Sequence, residues 1–167
     1  NIKTIENNTF RACSSLTNIV LPDSLVTIGE SAFQGCGMSQ ICIPNNVSVF
    51  GSYAFKQCKS LTSVAIPKSM ASIARGAFDE CSNLTSVTIP EGVEDIQKYA
   101  FYNCSGLKEV KLPSSIKYIR EYAFYNDVKL EKINLENVLV IGARAFFGCT
   151  SLKNINTSRT YSMGAKA

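Results

Sequence analysis

Seven cysteines and no histidine bound the chemistry open to this chain. Without histidine, neither a Ser-His-Asp triad nor a Cys-His pair can form. Six of the cysteines recur at long intervals: Cys13, Cys36, Cys58, Cys81, Cys104 and Cys149. No Cys-x-x-Cys pair of the kind that tetrahedral zinc uses is present. The intervals therefore read as a ladder of buried thiols serving as small apolar groups. The competing reading is a disulfide between stacked turns, which parallel side chains would strain. Cys42 falls out of this phase and is the one candidate for an exposed thiol, although shielding by its neighbours is the favoured reading. Asp127 takes the slot of a cysteine, and burying a lone carboxylate is costly. Its loop is therefore expected to bulge towards water, or its carboxylate to cap backbone amides. The carboxylate pairs Asp79-Glu80 and Glu94-Asp95 read as solvated turn charges. No Walker loop, His-Glu-x-x-His or glycine-rich phosphate cradle occurs. No catalytic residue, metal or cofactor is expected.

The elements that must position these residues follow from a repeat. Phenylalanines stand at Phe10, Phe33, Phe55, Phe78, Phe101, Phe124 and Phe146, in steps of 22 or 23. Prolines at Pro22, Pro44, Pro67, Pro90 and Pro113 keep the same phase, and Glu136 takes the sixth place. The unit reads Ala-Phe-x-x-Cys-x-x-Leu-x-x-Ile-x-Ile-Pro-x-Ser-Val-x-x-Ile-x-x-x. Within it, Leu84-x-x-Val87-x-Ile89 alternates as a short strand, Val87 and Ile89 inward and Ser86 and Thr88 outward. Proline ends that strand because it cannot donate to a ladder. A pair at spacing three, such as Val93 and Ile96, then turns inward. Ala-Phe-x-x-Cys suits a single helical or 3₁₀ turn.

One unit cannot bury its own apolar side, so units must stack on their neighbours. The fold expected is a solenoid of about seven turns, right-handed by the usual crossover rule, with parallel strands along one face. The phenylalanines should pile up inside it. Residues 1–156 would form the solenoid, opening mid-repeat at Asn1-Ile2-Lys3 and so reading as a fragment. Residues 157–167 would form a tail outside the repeat. Missing polar caps predict end-to-end association.

The unit just written resembles the BspA-like leucine-rich repeats, over roughly Ile2 to Ile155. The resemblance implies a curved solenoid with strands on its concave side. It also implies an extracellular or cell-surface protein, with adhesion or the binding of a host protein as its work. The ligand varies within the family, so the implied partner is a protein, such as one of the extracellular matrix. A structural spacer or an intracellular scaffold is the alternative.

Composition narrows the partner further. The net charge of +4 comes from 17 basic and 13 acidic residues spread along the chain, too diffuse for a nucleic-acid footprint. No apolar run reaches the length of a membrane span. Sequons such as Asn83-Leu84-Thr85 reflect turns rich in Asn, Ser and Thr. By phase, the outward strand positions are Asn18, Val20, Gln40, Cys42, Ser63, Ala65, Ser86, Thr88, Glu109, Lys111, Lys132, Asn134, Asn154 and Asn156. These fourteen form the candidate binding face. It carries no aromatic side chain, whereas tyrosines gather near Ala-Phe and should line the loops or the convex side.

Overall fold

The computed structural model describes residues Asn1–Ala167, which form short strands, turns, bends and irregular chain, with no helix. Every paired strand is parallel, as stacked copies of one unit require. Each of the five central turns contributes two short strands to two different ladders. The first ladder holds the alternating strands β3 (Gln40–Cys42), β5 (Ser63–Ala65), β7 (Ser86–Thr88), β9 (Glu109–Lys111) and β11 (Lys132–Ile133). Its register is Gln40↔Ser63 at one end, and Ser86↔Glu109↔Lys132 at the other. The second ladder holds β1 (Thr4–Ile5), β2 (Thr27–Ile28), β4 (Val49–Phe50), β6 (Ser72–Ile73), β8 (Asp95–Ile96), β10 (Tyr118–Ile119), β12 (Val140–Ile141) and β13 (Ser162–Met163).

This second ladder is absent from the sequence reading, which placed only an inward-turning pair there. Ile28, Ile73, Ile96, Ile119 and Ile141 do point inward and are buried. Strands of two residues are too short to show an alternation, so nothing in the pattern announced them.

The Ala-Phe-x-x-Cys segment is not the helical turn expected. It is a run of successive turns, closed by bonds such as Cys36 N–H to Phe33 C=O at 3.2 Å. Two residues per unit stop a helix from propagating, because they hold φ near +60°. Tyr99 and Asn103 do so at 63° and 54°, and Tyr122 and Asn126 both at 59°. That left-handed region is incompatible with a continuing right-handed helix. The segment is instead tied to the next turn, by Phe78 N–H to Ala100 C=O and Phe101 N–H to Ala123 C=O, each 2.8 Å.

The core is a column of rings. Phe33, Phe55, Phe78, Phe101 and Phe124 are essentially fully buried. Their centroids stand 5.2–5.8 Å apart and their planes lie within 14°. The inward residues of both ladders pack against them in one cluster. The first ladder breaks between β5 and β7, where Thr85 N–H still reaches Thr62 C=O at 3.2 Å, and the second breaks beside it between β4 and β6. The breaks lie where Phe50 takes an isoleucine's slot and tilts against Phe55 and Phe78.

The tail expectation needs correction. Ser162–Met163 pairs in parallel with Val140–Ile141, and Arg144 N–H bonds Ala165 C=O at 3.0 Å. Residues 157–167 thus carry one more rung, because Tyr161-Ser162-Met163 can supply backbone to an edge whatever its side chains.

Candidate functional site

The outward residues of the first ladder share one face. Gln40, Cys42, Ser63, Ala65, Ser86, Thr88, Lys111 and Lys132 are exposed, Glu109 half-buried, and Ile41, Val87, Val110 and Ile133 between them buried. Asn18, Val20, Asn154 and Asn156 are also exposed but lie in irregular chain rather than strand. Asn134 is only partly free. Its amide accepts from Leu112 N–H at 2.9 Å and donates to Leu112 C=O at 3.1 Å. The side chain thereby takes the place of a strand-to-strand backbone bond such as Ile89 N–H makes to Lys111 C=O.

The face has two chemically distinct ends. Val20 is 86% exposed and, with Cys42, Ala65 and the half-buried Val64, lines an open apolar hollow. At the other end Glu109, Lys111, Glu131, Lys132, Lys153 and Asn154 line a second hollow. None of its five charged groups enters an ion pair, so their charges are unspent within the chain. Lys153 was missed from sequence. It occupies the strand-entry position of Lys108 and Glu131, a phase that would have revealed it.

The thiol ladder is a set of hydrogen bonds as well as packing. Cys36, Cys58, Cys81, Cys104 and Cys149 each donate S–H to the phenylalanine carbonyl of the preceding turn, at 3.0–3.1 Å. All seven cysteines are free. Cys13 departs from the expected burial and is exposed, and Cys42 is exposed rather than shielded by its neighbours. Burial pushes the Cys36 thiol up to about 11 and the Cys58 and Cys149 thiols to about 12. These thiols are inert at neutral pH.

Asp127 neither bulges nor caps. It is fully buried, and neither carboxyl oxygen has a hydrogen-bond partner. The turn-to-turn bonds hold the loop in phase with its neighbours, so the side chain is carried inward where cysteine would sit. Burial raises its pKa well above the usual carboxylate value. Asp79 also departs from its solvated reading. It is 5% exposed, with one oxygen 2.7 Å from Lys56 Nζ and the other unpartnered. Burial outweighs the lysine's attraction and holds its carboxyl above the usual range. Glu94 and Asp95 pair with Lys117 and Arg120 at 2.8 and 2.9 Å.

The tyrosines lie on the face formed by the Ala-Phe turns. Tyr99 stacks on Tyr122, and Tyr102 on Tyr125 and then Phe147, at 5.0–5.3 Å. No helix is long and apolar enough to cross a membrane.

Comparison with known proteins agrees with this architecture. A leucine-rich repeat protein from Eubacterium ventriosum is 29% identical over 93% of this chain, with a TM-score of 0.84. The match spans 42% of that protein, so this chain covers less than half of its length. The T. pallidum leucine-rich repeat protein is 26% identical, with a TM-score of 0.80, over 87% of this chain and 72% of that one. One from Bacteroides ovatus is 26% identical, with a TM-score of 0.58, over 98% of this chain and 66% of that one. No curated protein sequence matches significantly. The model of the BspA-type leucine-rich repeat region matches in six copies, across residues 1–84 and 71–167. A chain matched end to end by that unit, folded as parallel rungs around one phenylalanine column, belongs to the BspA-type leucine-rich repeat family.

Proposed function

We propose that this chain is a non-catalytic protein-binding module working at a cell surface, in adhesion or the capture of a host protein. Leucine-rich repeats are generally interaction modules, and a solenoid's strand face is an extended binding surface. The observation that supports this reading is the charged hollow. Glu109, Lys111, Glu131, Lys132 and Lys153 converge there on a rigid ladder with no partner inside the chain. Rim charges of this kind set association rate and specificity. The cell-surface setting rests on the family.

The test is capture by immobilised extracellular-matrix proteins, measured by surface plasmon resonance. Wild-type protein is expected to bind one of them. A Lys111→Glu, Lys132→Glu variant should weaken that binding about tenfold, chiefly through a slower on-rate. Undiminished capture would move the site off this face. No capture by any matrix protein would favour a spacer that displays other domains.

A further inference from the structure

The turn face differs in chemistry from the strand face. Tyrosine and arginine, two of the side chains that most often dominate binding energy, are gathered there and absent from the strand face. Tyr53, Tyr99 and Tyr122 occupy the same slot of their turns, at φ of 58°, 63° and 59°. A side chain is strained in that region, and glycine is not. The fourth turn shows that the slot accepts glycine, since Gly76 holds it at φ 59°. Within this slot Tyr99 and Tyr122 stack on one another, while Tyr53 packs over Gly76 and stacks on no other ring.

Tyr99 and Tyr122 stack in this slot, Tyr102 and Tyr125 stack beside them, and all of these rings, with Tyr53, are partly exposed. Cations are threaded among them. The Arg75 guanidinium lies 5.7 Å from both the Tyr53 and Tyr99 rings, Lys98 Nζ 5.3 Å from Tyr99, and the Arg144 guanidinium 5.8 Å from Tyr122. Arg75 and Arg144 each donate one bond to a tyrosine hydroxyl, which orients the guanidinium and leaves its other donors unused. None of these three cations has a carboxylate within ion-pair distance, although Lys117 and Arg120 on the neighbouring ladder are both paired. The acids nearby do not change the balance. Asp79 and Glu80 are tied to Lys56, and Glu80 also to the Gln57 amide, which leaves Glu30 beside Tyr53 and Glu121 beside Tyr122 as the unpaired carboxylates along the row.

A surface of unpaired cations, free hydroxyl donors and apolar ring edges is complementary to carboxylates interspersed with apolar side chains. We propose that the turn face binds an acidic, partly apolar segment of a partner protein, its carboxylates held by Arg75, Lys98 and Arg144 and its apolar side chains by the tyrosine row. A sulfated glycan would satisfy the cations and leave the rings uncovered, so a polypeptide fits better. This surface is separate from the charged hollow of the strand face and stands or falls independently of it.

The test is fluorescence anisotropy with a short labelled peptide alternating Glu and Leu. Its controls are the same peptide with Gln for Glu, and a heparin oligosaccharide. The acidic peptide should bind with a Kd of about micromolar order, weakening as salt is added. An Arg75→Glu, Lys98→Glu variant should lose about tenfold or more in affinity. So should a Tyr99→Gly, Tyr122→Gly variant, whose substitutions the backbone of this slot already accepts. Lys111→Glu should leave this binding unchanged. Equal binding of the Gln peptide, unaltered affinity in the charge-reversed variant, or binding of heparin without the acidic peptide would overturn the proposal.

Discussion

A carboxyl group in a thiol's place is the sharpest feature at the scale of single residues. In five turns a cysteine S–H reaches back to a phenylalanine carbonyl, and in the sixth neither carboxyl oxygen of Asp127 is hydrogen-bonded, although the Cys104 backbone lies close. Cys104 and Cys149 are the titratable groups beside it, and no cation is paired with it. A buried group left without a partner costs about 1–3 kcal/mol. Asp127→Cys should therefore raise the urea midpoint at pH 7 by the equivalent of about 1–3 kcal/mol. The sign of the pH dependence follows from the direction of the shift. Folding raises the carboxyl above its unfolded value, so the native state holds the proton more tightly. Its contribution is most favourable below about pH 4 and is lost as pH rises from there through the raised folded value. Relative to Asp127→Asn, wild-type stability should fall steadily between pH 4 and pH 8. A difference independent of pH would show that the side chain reaches water. The thiols give a second test at this scale. In native buffer a thiol reagent should modify Cys13 and Cys42 quickly and the other five only on unfolding. Rapid modification of all seven would contradict the ladder.

The turn is the element that sets everything larger. Its inner residue, Phe78, sits between Phe55 at 5.8 Å and Phe101 at 5.4 Å, and is 1% exposed. Phe78→Ala should cost about 3–5 kcal/mol, read as a lowered urea midpoint, because stacked neighbours cannot collapse into the gap. An unchanged midpoint would put the ring elsewhere. Much of this element was legible in the sequence, because burial imposes a period. The phenylalanines, the alternating strand around Val87 and the inward position of Ile96 each followed from spacing alone. What spacing hides is backbone conformation. The left-handed φ of Tyr99 and Asn103 converts the expected helical turn into a pleated run, and neither residue type announces it. The second ladder stayed hidden for a related reason, since two residues such as Tyr118 and Ile119 carry no alternation.

At the scale of the whole molecule, the outward residues were readable because a strand's alternation leaves no choice of side: Gln40, Ser86 and Lys132 are exposed where phase put them. Tertiary engagement was not readable. Asn134 is spent on Leu112, and Asp79 is buried against Lys56, because both outcomes depend on what the adjacent turn supplies 22 or 23 residues away. The molecule is a rigid rack whose two long faces differ, one with an apolar and a charged end and one lined with tyrosines and cations. Both binding proposals require those side chains to stay in fixed rows. The direct check is the distance between spin labels on Gln40→Cys and Lys132→Cys, with exposed Cys13 and Cys42 changed to serine. Those positions lie four rungs apart on one ladder, so the distribution should be narrow and centred near 20 Å, at about 4.8 Å per rung. A broad distribution, or a maximum beyond about 35 Å, would mean that the strands do not stack in this register.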